Sequence, residues 1–185
     1  FHHMNFPGTI TLQTETFVQV LAEVVASLHA HGFDRFLIVN GHGGNIPAMG
    51  VATVRIKEEV DPLFIGACSY FSFADKGLAE KHDMTGITGH ACEMETSVAM
   101  ALVPSIVKTD ALAAGELTDL TYEFRGTLQK YGVTVPYRFD EYTTNGALGD
   151  ARRSTLEYGN DIVESALRNF VTFTEELVAW SPRDE

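Results

Sequence analysis

Three observations predict an α/β fold with a mostly parallel sheet. Segments with helical and strand-like patterning alternate between Thr11 and Phe71, which is the signature of βαβ units. The run Phe36-Leu37-Ile38-Val39 is uninterruptedly apolar, as expected of a strand buried on both faces of a parallel sheet. It stops abruptly at Asn40-Gly41-His42-Gly43-Gly44-Asn45. Open α/β sheets bind ligands outside the carboxyl ends of their strands, so this loop lies where chemistry is expected.

In chain order, Thr11–Ala30 carries apolar residues at Phe17, Val20, Leu21, Val24, Val25 and Leu28. That spacing predicts a helix with one buried face, with Thr11 or Thr14 as N-cap and Gly32 just past its end. A strand is predicted over Phe33–Val39. A second helix is expected over Ile46–Val60, with Pro47 tolerated in its first turn and Asp61-Pro62 ending it. Leu63–Phe71 reads as the next strand. Asp75–Gly89 is polar and glycine-containing, and reads as a long functional loop. A short helix is predicted over Glu93–Leu102, stopped before Pro104. Thr109–Thr144 is irregular, with a hairpin near Val133-Thr134-Val135. A long amphipathic helix closes the chain over Arg153–Trp180.

The chain has 185 residues, 45% of them hydrophobic, enough for one globular domain over 1–185. Lys+Arg 13 against Asp+Glu 25 leaves a net charge of −12, which argues against binding a phosphate backbone and so against nucleic acid as a partner. Cys68 and Cys92 lack metal or redox spacing and read as free thiols. No apolar window is long enough to cross a bilayer, and no signal-peptide pattern is present. A cytoplasmic protein without a membrane partner is expected. The chain opens on Phe1-His2-His3-Met4, which reads as the interior of a longer protein.

A second concentration of chemistry is Gly89-His90-Ala91-Cys92-Glu93-Met94-Glu95-Thr96-Ser97. A histidine and two carboxylates crowd the mouth of an apolar helix. Helical spacing sets Glu95 on the face of Ala99, which predicts an inward carboxylate. A buried carboxylate must be paired or must bind a metal. Imidazole and carboxylate together suit Zn²⁺ or Mn²⁺. Other readings stay open: Glu95 paired with Arg152 or Arg153, Glu93 as a helix N-terminal charge, Cys92 as a nucleophile beside His90, and Gly43-Gly44 as a phosphate cradle.

Three segments, in this order, resemble the creatininase (creatinine amidohydrolase) family. His3 with Phe6-Pro7-Gly8-Thr9 is similar to its H-x-x-F-P-G-T segment. Asn40-Gly41-His42-Gly43-Gly44-Asn45 is similar to its N-G-H-x-x-N loop. His90-Ala91-Cys92-Glu93-Met94-Glu95-Thr96-Ser97 is similar to its H-A-G-x-x-E-T-S segment, with Cys92 in the glycine slot. The resemblance implies a three-layer α/β/α sandwich related to Rossmann-like sheets. It implies a metal-dependent hydrolase that cleaves a C–N bond of a small polar amide by metal-activated water. It also implies a divalent cation, Zn or Mn or else Fe, dinuclear when upstream ligands are supplied, and a homo-oligomer such as a hexamer.

By position, the resemblance makes His42 and Glu95 metal ligands and His90 the proton-transferring residue. Creatininase carries a Glu where this chain has Gly44, so Glu93, or else a metal hydroxide alone, is the candidate base. Thr9, Gly43, Gly44, Asn45 and Asp83 are candidate substrate contacts, with His82 beside Asp83. The family's upstream E-x-H segment and bridging Asp have no match here, and the chain is read as lacking that N-terminal portion. Two alternatives accompany this reading. One is hydrolysis of a C–C or C–O bond in a cyclitol or sugar derivative, and the other is a catalytically inactive scaffold subunit.

Overall fold

The computed structural model describes residues 1–84, 86, 88–118, 130–133 and 135–181. The chain divides into two compact units, one formed by Phe1 with Ile10–Ser72 and the other by His2–Thr9 with Phe73–Glu185.

The first unit is a β–α–β arrangement preceded by a helix. Helix α1 (Thr14–Ala30) leads to β1 (Arg35–Asn40), α2 (Ile46–Glu59) and β2 (Phe64–Ser69). The strands are parallel and in register from Arg35 opposite Phe64 to Asn40 opposite Ser69. Ala22 and Val25 of α1, Phe36 of β1 and Ile56 of α2 form the core, with Leu21, Ile38, Val60 and Ile65 packed around it. These four helices and strands fall within a few residues of their predicted limits.

Three expectations are corrected. Thr14 is the first helical residue, and the cap position is Gln13, which makes no side-chain cap bond. The buried face of α1 is Val18, Ala22 and Val25, whereas Val20, Val24 and Leu28 are exposed. Strand β1 is not buried on both faces: Phe36 is buried, but Val39 is 49% exposed. Among the described residues β1 pairs with β2 alone. Gly32 closes α1 as expected, with φ +92° and its N–H donating to the His29 carbonyl, a geometry that favours glycine.

The second unit is built on α4 (Glu93–Leu102) against α5 (Leu156–Ala179), with a one-turn helix, α3 (Leu78–Lys81), inside the stretch expected to be loop. The close approach of α4 and α5 depends on Gly159, where an added Cβ would lie 1.9 Å from the Ser97 carbonyl oxygen. The Ser97 hydroxyl accepts the Thr155 N–H at 3.0 Å. Thr155 in turn caps α5, its Oγ1 accepting the Tyr158 N–H at 3.1 Å. That cap starts α5 at Leu156 rather than Arg153; Ala151–Arg153 forms a separate short turn capped by Asp150. The irregular stretch is held by isolated antiparallel bridges, Ala114 with Asp150 and Leu117 with Thr143, and a further bridge joins His90 to Leu148. The hairpin expected near Val133-Thr134-Val135 includes Thr134, which lies outside the described residues.

Candidate functional site

The sequence-predicted residues divide between the units: His42, Gly43, Gly44 and Asn45 belong to the first, and Thr9, Asp83, His90, Glu93 and Glu95 to the second.

In the first unit, the loop after β1 is organised by a residue to which the sequence reading assigned no role. Asn40 is buried at the carboxyl end of β1. Its Nδ2 donates to the His42 carbonyl at 2.7 Å and to Ser69 Oγ at 3.1 Å, and its Oδ1 accepts the His42 N–H at 3.1 Å. Asn45 Nδ2 donates to the same Oδ1 at 3.3 Å. A single side chain thus fixes the backbone on both sides of His42 and ties it to β2. The sequence marked Asn40 as the first residue of the N-G-H-x-x-N loop; the structure makes it the last, buried residue of β1, where a polar group demands partners. Gly43 and Gly44 begin the short turn Gly43–Asn45 that leads into α2. Neither has a positive φ, and an added Cβ at Gly43 would meet nothing within 4 Å. Turn geometry therefore does not demand glycine at either position; what glycine leaves here is exposed backbone.

In the second unit, His90 and Glu95 face one another across the start of α4. Ala91 adopts φ +47°, a left-handed conformation that costs a non-glycine residue about 1 kcal/mol. That turn sends its N–H onto Glu95 Oε2 at 2.7 Å, close in form to a capping box. The same Oε2 lies 3.8 Å from His90 Nδ1, with both side chains about one third exposed. Glu95 Oε1 makes no hydrogen bond among the described residues. The His90 backbone is clamped by its bridge to Leu148, with N–O distances of 3.2 and 2.7 Å. Its ring stacks on His3 at 4.2 Å and meets Phe139 at 4.8 Å. Phe139 comes from the irregular stretch, and no local pattern marked it.

The inward carboxylate of α4 is Glu93, not Glu95. Glu93 is 2% exposed, and its Oε2 accepts the Asp150 N–H at 2.8 Å. Gly149 passes so close that an added Cβ would lie 2.4 Å from Cys92 Cβ and 2.8 Å from Glu93 Oε2. This buried, backbone-bonded setting differs from that expected of a base open to substrate. Tyr158 packs in the same region, and burial pushes its phenol above the ordinary value, with Cys92 and Glu93 adding to the effect. Arg152 pairs with Asp150, and Arg153 approaches Asp83, so neither serves as the partner of Glu95.

Thr9 Oγ1 donates to the His3 carbonyl at 2.9 Å, closing the turn that carries the His3 ring. The Asp83 side chain is 97% exposed, beside Arg153. His82 is held against α5, its Nε2 2.7 Å from Asp161 Oδ2 and its ring 5.0 Å from Tyr158.

These features define an α/β protein whose charged chemistry sits at a strand's carboxyl end and at a helix start. The Creatininase family model, described as creatinine amidohydrolase, matches residues 1–174, and the chain belongs to that family. It is 29% identical over 180 residues to a mycofactocin precursor peptide peptidase of Mycobacterium ulcerans, covering 97% of this chain and 62% of the relative. A 3-dehydro-scyllo-inosose hydrolase of Thermotoga maritima is 29% identical over 111 residues, covering 58% of this chain and 35% of that protein.

Among solved structures, a Bacteroides fragilis protein assigned as a creatinine amidohydrolase superposes with a TM-score of 0.83 at 26% identity, covering 100% of this chain and 69% of that one. A manganese form of creatininase shares the fold, with a TM-score of 0.70 at 23% identity over 92% of this chain and 67% of that one. The creatininase-type α/β fold expected from the sequence is thereby established, and divalent metal occurs in the family. The chain spans about 62% of the length of the curated relative it matches.

Proposed function

We propose that the protein is a metal-dependent hydrolase cleaving a C–N bond, an amide or cyclic amide, in a small polar substrate. The observation that carries this reading is the His90–Glu95 pair, in which a backbone N–H holds one carboxylate oxygen beside the imidazole. The peptide peptidase relative, matched over nearly the whole chain, supports an amide as the bond broken.

Imidazole and carboxylate are the ligand types of a divalent cation such as Zn or Mn. Glu95 has Oε2 anchored and Oε1 unengaged among the described residues, and His42 is an imidazole on a backbone braced by Asn40. The motif positions assign His42 and Glu95 as ligands, with Zn or Mn as the ion. When bound, the cation supplies Lewis acidity and acidifies water. The chain's residues supply the rest. His90 presents Nδ1 to Glu95, so Nε2 is the nitrogen that passes a proton to the leaving group. The Gly43–Gly44 backbone offers N–H groups to a developing oxyanion. Glu93 is a positioning residue: it holds Asp150, two residues beyond the Leu148 that clamps His90. Thr9 acts through His3, and Asn45 through Asn40. Asp83 is reserved for substrate on its exposed side.

The protein is further read as a cytoplasmic homo-oligomer, supported by free Cys68 and Cys92 and by the exposed apolar residues of α1. No helix among the described residues is long and apolar enough to cross a membrane.

The test is metal content by elemental mass spectrometry, with the wild type beside His42→Ala and Glu95→Ala. Stoichiometric Zn or Mn, lost in both variants, is the expected result; a metal-free wild type, or variants that retain the ion, would reject the ligand assignment. The Thermotoga relative supports a second reading, hydrolysis of a cyclitol-derived bond. Release of ammonia or an amine separates the two.

A further inference from the structure

An open groove of about 450 Å³ runs beside α4 in the second unit. One wall is α4 itself, with Glu95 and Ala99 one turn apart. The other is the segment after the Pro104–Ile106 turn, contributing Ile106, Val107, Lys108 and Leu112. The volume lies in the range of small-molecule sites, which are mostly apolar with a few placed polar groups. This groove has that character: aliphatic walls, one carboxylate and one ammonium. Lys108 is exposed and forms no ion pair among the described residues. Ile106 is 66% exposed, an aliphatic side chain left in water.

We infer that this groove is a specificity subsite for a substrate whose non-reacting end is an apolar body carrying one carboxylate, paired with Lys108. The inference rests on the hydrolase reading only in that Glu95, the proposed metal ligand, marks where the scissile amide lies. The sign of the ligand follows from the two charged side chains. Lys108 attracts an anion and is the one cationic side chain of the groove, so the carboxylate of the ligand lies at the Lys108 end, away from the scissile group at Glu95. The apolar body removes Ile106, Val107 and Leu112 from water, the dominant favourable contribution in such sites. The carboxylate contributes discrimination more than affinity, because an exposed ion pair is weak.

The experiment uses three probes of one shape: 4-phenylbutyrate, 4-phenylbutyramide and 4-phenylbutylamine. Dissociation constants are measured by NMR titration on the purified, metal-loaded protein and repeated after chelation. The butyrate is expected to bind about fivefold more tightly than the amide, the scale of an exposed ion pair. Lys108→Glu is expected to reverse the order in favour of the amine. Ile106→Ser, at an exposed position, is expected to weaken all three together. Equal binding of acid and amide by the wild type overturns the subsite, as does an acid preference that survives Lys108→Glu or disappears on chelation. If the protein holds no metal and the hydrolase reading fails, the probe order and its reversal still stand or fall by themselves.

Discussion

Two residues separate Glu93 from Glu95, a rotation of about 200° around a helix. That rotation puts the two carboxylates in different media. Glu93 shares the buried face of Ser97 and receives a backbone N–H; Glu95 stays a third exposed, against His90. The positioning role of Glu93 makes a sharp prediction. Glu93→Gln keeps an acceptor for the Asp150 N–H and should retain both stability and most activity. Glu93→Ala orphans a buried donor and should cost about 2–3 kcal/mol, read as a lower urea midpoint. Loss of turnover in the Gln variant with unchanged stability would instead make Glu93 a base. The motif marked both glutamates as chemically important. It did not say which one faced inward, because the backbone at Gly149–Asp150, 57 residues along the chain, closes over Glu93, while the positive φ of Ala91 turns its N–H onto Glu95.

At the scale of elements, the 73–84 segment is tethered to α5 by carboxylates. Asp75 accepts from Asn169 and Arg168, and Asp161 accepts from Lys81 and His82. The bond from Asn169 and then that from Arg168 hold the Asp75 carboxyl below its usual value of 3.8, and Lys81 followed by His82 does the same for Asp161. Because both folded values lie below the unfolded one, the tethering is complete above about pH 4 and is lost as pH falls through the depressed values. Hydrogen exchange in peptides from 73–84 should therefore stay flat from pH 6 to about pH 4 and rise as the pH is lowered further, after correction for the intrinsic rate, while α4 remains protected. Asp75→Asn with Asp161→Asn should remove that pH dependence; an unchanged acid response in the double variant would locate the sensitivity elsewhere. Helix α3 itself escaped the sequence reading because one polar turn has no periodicity to detect. Its position depends on these tethers.

For the whole molecule, the proposed homo-oligomer is testable at the exposed apolar residues of α1 and α2. Val20, Val24 and Leu28 repeat at four-residue intervals along α1, and Val51 and Val54 are exposed on α2. Apolar rows of this kind on a water-facing helix mark interaction surfaces, and in the oligomer proposed here they are subunit contacts. Val24→Glu combined with Val54→Glu should shift the particle to lower mass in light scattering without changing the far-UV spectrum; an assembled double variant would place the contact on another surface.

The sequence by itself determined the family, the order of helices and strands, and the identity of the chemical groups. These are legible because they are written in local periodicity and short motifs: a 3.6-residue repeat for α1 and α5, an apolar run for β1, and H-A-C-E-M-E-T-S ahead of α4. The tertiary structure decided which side chains do what. It exposed half of the α1 stripe and buried Glu93 rather than Glu95. It recruited Phe139 to the His90 ring and made Asn40 the brace of the His42 loop. Asp150 for Glu93, Phe139 for His90 and Ser69 for Asn40 are partners far along the chain, and burial and hydrogen-bond partnership are properties of that packing, which no local pattern encodes.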